Sequence, residues 1–276
     1  MSASQQVTFQ RAPISVCLAT YNGARYLTVQ ITSILQELLP DDEVVVVDDH
    51  SNDGTVELLS SFGDPRLRVY ANERNLGVNQ SFARAIGLAR RDYIFMADQD
   101  DRWVPGRLVA MADALSKGSL VVTGQQTFMD AEGVPIDFPA HPAPAADSGR
   151  YLKNIARVFI GNSGYFGCIM AFRRELTPLI LPIPGFVESH DLWIALAGNL
   201  CRSNVHLDSN TLVRRVHGSN ASLIQRTMFL KIRARLIFAV SVLVLLLRGA
   251  GWRRISRANA VQNAVARGGR HHTSPP

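Results

Sequence analysis

The run Glu43-Val44-Val45-Val46-Val47 constrains the fold of this chain more than any other stretch. Four consecutive valines are stiff at χ1 and favour extended backbone. A strand without a polar face cannot stand against water on either side. It belongs at the centre of a sheet covered on both faces, which is the setting of parallel strands. Ile14-Ser15-Val16-Cys17-Leu18-Ala19 and Tyr93-Ile94-Phe95-Met96-Ala97 are equally short and β-prone, and Leu67-Arg68-Val69-Tyr70 reads as a further strand. Between them the apolar spacing becomes helical. Tyr26–Leu38 has apolar residues at 27, 31, 34, 35 and 38; Thr55–Phe62 is a short helix; Val78–Arg90 has apolar residues at 78, 82, 85, 86 and 89. Strands and helices alternating at this length predict βαβ units, hence an α/β fold with a mostly parallel central sheet flanked by helices.

The pattern loosens beyond Pro105. Arg107–Leu115 reads as a helix and Leu120-Val121-Val122-Thr123 as a strand, while Val134–Gly149 carries four prolines and reads as loop. Small residues from Asn162 lead into a strand ending at Phe172, and Pro182-Ile183-Pro184-Gly185 is a rigid turn. Ser189-His190-Asp191-Leu192-Trp193-Ile194 opens a helix, with Ser189 or Asp191 near its N-terminus.

The strand ends carry the chemistry. In open α/β sheets ligands bind at the carboxyl ends of strands. The first strand ends in Thr20-Tyr21-Asn22-Gly23, the second in Asp48-Asp49-His50-Ser51-Asn52-Asp53-Gly54, and the Tyr93 strand in Asp98-Gln99-Asp100-Asp101. Three carboxylates within four positions repel one another, and a cation relieves that repulsion. Hard oxygen ligands suit Mg²⁺ or Mn²⁺, which bridge to phosphate oxygens. The alternative is an acidic turn capping the helix that starts near Pro105. Neither G-x-G-x-x-G nor G-x-x-x-x-G-K-[ST] is present, which argues against a nicotinamide site and a P-loop.

Charge is distributed unevenly. Ten of the 29 basic residues lie from Arg226 onward and none of the 23 acidic ones do, so the first 225 residues hold 19 basic against 23 acidic groups, a net of −4. A mildly acidic body with a wholly basic tail predicts that the tail meets an anionic surface. The tail interleaves its charges with aliphatic rather than aromatic residues, so nucleic acid is not expected. Cys17, Cys168 and Cys201 are odd in number and widely spaced, which fits neither a disulfide scaffold nor a zinc site. Met1–Arg11 is polar and lacks the apolar stretch of a secretory signal, so a cytoplasmic location is expected.

Taken in order, Ala19-Thr20-Tyr21-Asn22-Gly23, Val47-Asp48-Asp49-His50-Ser51-Asn52-Asp53-Gly54-Thr55, Asn75-Leu76-Gly77, Asp98-Gln99-Asp100-Asp101, His190-Asp191-Leu192-Trp193 and His217-Gly218-Ser219-Asn220 resemble the family 2 glycosyltransferases with the GT-A fold. The resemblance covers roughly Pro13 to Ser222 and is strongest to bacterial rhamnosyltransferase-type members. One departure is His190, where many relatives carry a glutamate. The resemblance implies an inverting, metal-dependent transfer of a sugar, with dTDP-rhamnose the leading donor and a UDP-hexose the alternative. The acceptor would be a lipid-linked or cell-envelope glycan. Thr20, Tyr21, Asp48, Asp49, Arg74 and Asp98 would line the nucleotide-sugar site. Asp98, Asp100 and His217 would hold Mg²⁺ or Mn²⁺, and Asp191 would be the general base, with Glu188 next in line. Each has a plainer alternative. Asp48 and Asp49 could form a polar turn, Arg74 a solvated loop residue, and Asp191 a helix-terminal residue satisfying backbone N–H groups. Trp103 and Trp193 could stack on sugar or belong to the core. A nucleotidyltransferase would carry a glycine- and arginine-rich loop after the first strand, which is absent, and a sugar-binding module has no need of so complete a carboxylate set.

Residues 13–225 would form the GT-A domain, 226–267 a basic, apolar helical segment and 268–276 a disordered end. Leu236–Leu247 is an apolar run of twelve. As a helix it spans about 18 Å, against a bilayer core of about 30 Å, too short to cross unaided. Arginines on both sides and Trp252 beyond suit a helix lying in the anionic membrane interface, giving peripheral association with the inner face of the cell membrane. The alternative is a helix packed on the body or in a homodimer.

Overall fold

The structure is a computed structural model that describes residues 11–139, 143–162, 164–218 and 228–268. The polar N-terminal stretch up to residue 10, Ser219-Asn220 and the expected disordered end after Gly268 lie outside the described residues.

The valine run is β2 (Glu43–Asp48), buried along its whole length. It lies between β1 (Ile14–Thr20) and β3 (Leu67–Ala71), and β1 pairs on its other side with β4 (Tyr93–Ala97), all in parallel. Alternation of side chains across a strand divides the core into two layers. Val44 and Val46 pack with Ile14, Val16, Leu18 and Phe95 on one face. That face is covered by α1 (Ala24–Leu35), α2 (Thr55–Ser61) and α4 (Arg107–Ser116) through Leu27, Ile31, Leu59, Leu108 and Met111. Val45 and Val47 pack with Cys17, Ile94 and Met96 on the other. There α3 (Val78–Leu88) contributes Phe82 and Ile86, and α7 (His190–Leu200) contributes Trp193, Ile194 and Leu196.

The remaining strands narrow the expectation of a mostly parallel sheet. The strand order is β3-β2-β1-β4-β8-β6-β9-β5, with the short β7 (Pro135–Ile136) beside β6. Here β8 (Met170–Arg173) runs antiparallel between β4 and β6 (Val121–Met129), and β9 (Asn204–Arg215) is parallel to β6. The two-residue β5 (Arg102–Trp103) pairs antiparallel with β9. The sheet as a whole is therefore mixed. Its parallel half has the order 3-2-1-4, so the crevice between β1 and β4 is a topological switch point, where α/β sheets bind ligands.

Three elements go beyond the sequence reading. β9 alternates imperfectly, with three exposed residues at its centre and a register shift against β6, so its period of two is broken. β5 is too short to show a period at all. α5 (Tyr151–Ile160) buries only Asn154 and Val158, although Ile155 and Val158 do carry a helical spacing.

α8 (Met228–Gly268) is the basic, apolar helix. Its inner face docks on the body. Leu245 is only 2% exposed, and Phe238, Val242 and Trp252 pack against the α3/α7 core layer. Arg248 donates hydrogen bonds to Leu179 O and Pro182 O, and Trp252 Nε1 donates one to Glu175 O at 3.0 Å. The outer face is different. Ile232, Leu236, Val240, Leu243 and Leu247 follow one another at helical spacing and are between 46% and 68% exposed. No helix among the described residues is long and apolar enough to cross a membrane.

Candidate functional site

The carboxyl ends of the parallel strands open into a cleft of about 1100 Å³. Thr20, Tyr21, Asp49, Asp98, Asp100 and Asp191 all line it. These residues are up to 171 positions apart in the sequence (Thr20 to Asp191) and come together because strands 1, 2 and 4 end at one edge.

Gln99 ties two of these strand ends together. Its Oε1 accepts hydrogen bonds from Thr20 Oγ1 at 2.7 Å and Tyr21 N at 2.8 Å, and its Nε2 donates to Tyr21 O at 3.2 Å. A side chain at position 23 would collide with Gln99 Oε1 and Thr20 Oγ1, so it would displace Gln99 from these hydrogen bonds. Tyr21 is left half-exposed over the cleft mouth.

The two carboxylates after β2 have different tasks. Asp48 is buried and accepts hydrogen bonds from Ser51 N and Ser51 Oγ, which turns it into its own loop. Asp49 organises the loop after β3. Its Oδ1 accepts from Asn72 Nδ2 at 2.7 Å and Leu76 N at 2.8 Å, and its Oδ2 from Gly77 N at 2.8 Å. Burial opposes its ionisation, but these donors and Ser81 outweigh that and hold the carboxyl below its ordinary range. Asp49→Ala is expected to cost about 2–3 kcal/mol of stability, because two backbone N–H groups lose a charged acceptor. The stability that comes from ionised Asp49 is present above the ordinary aspartate value of about 3.9. It is lost as pH falls through the lower folded value. Urea denaturation at neutral and acid pH measures both effects; a variant as stable as the unaltered protein would show that other contacts hold the loop. Arg74, on that same loop, is exposed and outside the cleft lining.

At the end of β4 the acidic cluster is crowded. Burial, then the neighbouring charge of Asp100, push the Asp98 carboxyl up to about 6, against the opposing pull of Arg214. Asp101 is pushed up for the same reasons. Its Oδ1 accepts from Arg215 N at 2.9 Å, while its Oδ2 is buried without a hydrogen-bond partner among the described residues. One ligand atom each from Asp98, Asp101 and Cys168 lies within 4.8 Å of the others. Cys168 is fully buried and its thiol is pushed up, so it remains a protonated, soft group that a hard cation would not choose. Asp100 Oδ2 lies 2.7 Å from His217 Nε2. The His217 ring is stacked on Tyr26 at 5.3 Å, and Tyr26 lies 4.6 Å beneath the Arg215 guanidinium. The pairing of β5 with β9 delivers this set to the cluster. Asp100 and His217 thus meet in a cleft that Asp98 also lines, and their oxygen and nitrogen atoms are of the donor types that Mg²⁺ or Mn²⁺ takes.

Arg214 is a residue the sequence reading leaves without a role. Its guanidinium lies 4.6 Å over the Phe166 ring and lines the cleft. Burial opposes its charge, but the surrounding Asp98, Asp101 and Asp100 outweigh that and raise its pKa. Its only sequence signal is a run of two arginines just before His217.

Asp191, in the first turn of α7, lines the same cleft and lies near enough to Asp98 to help raise its pKa. Its Oδ2 accepts from Gly167 N at 3.3 Å and its Oδ1 from Leu192 N at 2.8 Å, and Ser189 Oγ, the N-cap, contacts the same oxygen. Gly167 makes room for the neighbouring His190: a Cβ there would meet His190 Nε2 at 2.9 Å. His190 is a packed residue, stacked on Phe82 at 4.1 Å and anchored by Asn79 Oδ1, and burial lowers its pKa. Trp103 and Trp193 are both core; Trp193 Nε1 donates to Ile180 O at 2.9 Å.

The cleft thus holds an acidic cluster at the end of β4 and a carboxylate fixed at the start of α7. The sequence matches the family model described as Glycosyl transferase family 2 over residues 15–178. The chain is a family 2 glycosyltransferase. The transferase is 29% identical over 190 residues to TuaG of Bacillus subtilis, a protein named for teichuronic acid biosynthesis, covering 66% of this chain and 71% of that one. It is 26% identical over 188 residues to WfgD of Escherichia coli, named a UDP-Glc:alpha-D-GlcNAc-diphosphoundecaprenol beta-1,3-glucosyltransferase, covering 66% of this chain and 69% of that one. Among solved structures, S. aureus TarS in complex with UDP-GlcNAc superposes with a TM-score of 0.64 at 20% identity, over 84% of the transferase and 66% of that chain. At that identity the likeness is one of fold, and the fold is that of GT-A enzymes. The transferase spans 71%, 53% and 29% of the lengths of three of its relatives.

Proposed function

We propose that the transferase moves a hexose, with inversion, from a pyrimidine nucleoside diphosphate to a cell-envelope glycan. The observation that carries this reading is the convergence of Asp98, Asp100 and Asp191 on one cleft at the switch point of the sheet. Asp191 takes the proton from an acceptor hydroxyl as that oxygen bonds to the anomeric carbon. The bond from that carbon to the diphosphate oxygen breaks, and its electron pair leaves with the nucleoside diphosphate. A single displacement of this kind inverts the anomeric centre. Asp98, Asp100 and His217 would hold a divalent cation, which supplies Lewis-acid stabilisation to the departing charge. Tyr21 and the Thr20–Gln99 pair would shape the nucleotide pocket. Asp49 supports that pocket through the 72–77 loop.

A UDP-hexose is the leading donor, because the name of the relative WfgD specifies UDP-glucose. The Asp98-Gln99-Asp100-Asp101-Arg102-Trp103 form favours the rival, dTDP-rhamnose. Donor hydrolysis measured across UDP- and dTDP-sugars with Mg²⁺ and Mn²⁺ decides between them. No turnover with any nucleotide sugar would sink the donor-site reading.

The outer stripe of α8, with basic residues at its ends, suits the anionic inner face of the cell membrane. Removing α8 would strip Leu245 and Trp252 from the body, so point substitutions are the cleaner probe. Leu236→Glu combined with Leu243→Glu and Leu247→Glu is expected to abolish flotation with anionic vesicles. Undiminished flotation would show that the stripe is not the contact. A stable dimer that ignores vesicles would show that a second copy of the chain covers it.

A further inference from the structure

The cleft does not end at Asp191. It continues past Glu188 to α8, whose Lys231, Ala234, Arg235 and Phe238 form its far wall opposite Phe159 of α5. The rings of Phe159 and Phe238 meet at 5.5 Å, and the Arg235 guanidinium lies 5.8 Å over Phe159. Arg235 also donates to Lys231 O at 2.9 Å, one turn back along the helix. Glu188 stands 3.7 Å from Arg233. Among the described residues, neither Lys231 nor Arg235 has a carboxylate partner. The wall therefore combines an aromatic surface with two cations that form no ion pair among the described residues, inside the same cleft as Asp191. Two cations at that spacing suit a phosphate or diphosphate, and the aromatic pair suits an apolar chain. The opposite face of the same helix is the exposed stripe from Ile232 to Leu247.

We propose that the inner face of α8 is the acceptor subsite, and that the acceptor is a short glycan carried on a lipid diphosphate. This rests on the reading of Asp191 as the base. The glycan hydroxyl sits at Asp191, the diphosphate at Lys231 and Arg235, and the start of the lipid chain against Phe159 and Phe238. The chain then leaves toward the side of the protein that carries the apolar stripe. α8 thereby sets acceptor class, while the strand-end residues set the donor.

The test uses the full chain saturated with UDP and Mn²⁺, so that the donor site is occupied, and farnesyl diphosphate as the probe in calorimetry. Farnesyl diphosphate is expected to bind at least about tenfold more tightly than inorganic diphosphate or farnesol. Lys231→Gln combined with Arg235→Gln should lose that factor while holding UDP as before, which also certifies its fold. Phe159→Ser should weaken farnesyl diphosphate and leave inorganic diphosphate unchanged. Equal farnesyl diphosphate affinity in the double variant would overturn the proposal. So would inorganic diphosphate binding as tightly as the lipid, or farnesol doing so. Failure of the unaltered protein to bind UDP would overturn the donor-site reading instead, and the comparison of the three probes would still stand.

Discussion

Asp191→Asn is expected to leave nucleotide-sugar binding intact while lowering sugar transfer by about 10²–10⁴-fold. Asparagine keeps the shape of the carboxylate. One amide oxygen can still accept from Leu192 N or Gly167 N, so the start of α7 should hold its place. What it loses is the basic oxygen that takes the acceptor proton. The loss should fall on kcat rather than on donor affinity, because Asp191 comes from the start of α7 and is not among the residues that would hold the metal. The same substitution at Glu188 separates the two carboxylates. Transfer near the unaltered rate in Asp191→Asn, with collapse in Glu188→Gln, would move the base to Glu188. Donor affinity falling together with kcat would show that Asp191 serves the sugar nucleotide.

Asp100→Ala should abolish the stabilisation that Mn²⁺ and UDP together confer, while leaving the metal-free protein at least as stable as before. Both halves follow from crowding. The charge of Asp100 is among the causes that raise Asp98 and Asp101, so its removal relieves repulsion in a buried cluster. It also takes away an oxygen that converges with His217 Nε2, so the cation loses a ligand. A ligand held at 100 times its Kd stabilises by about 2.7 kcal/mol. Thermal unfolding with and without Mn²⁺ and UDP should show that increment in the unaltered protein and its disappearance in the variant. A variant that keeps the increment would remove Asp100 from the metal set. A variant that unfolds earlier without metal would show that the Asp100–His217 contact is a structural tie.

The acidic cluster and the cleft position of Asp191 were legible in the sequence because both follow from local signals. Asp98–Asp101 come directly after a wholly apolar strand, and Asp191 comes just after a serine N-cap. The difference between Asp48 and Asp49 was not legible. Adjacent residues at a strand end point to opposite sides, and only the placement of the 72–77 loop decides which one meets backbone donors. Arg214 was hidden for a related reason: it reaches the cluster because β9 pairs with β5, where Arg102 stands opposite Val213, 111 positions away in the sequence.

By itself, the sequence determined the two-layered α/β core. The run of β2 valines alternates between the two faces whatever its neighbours do, and both faces must be covered. It also pointed to a basic, apolar helix following the body. Only the tertiary structure decided where that helix lies. Its apolar residues occupy both sides, so periodicity could not say which side meets protein. Packing chose the Phe238–Leu245–Trp252 side because that side fits the α3/α7 core layer, and left Leu236, Val240, Leu243 and Leu247 facing outward. The same choice placed Lys231 and Arg235 at the far wall of the cleft, joining the tail to the chemistry of the body.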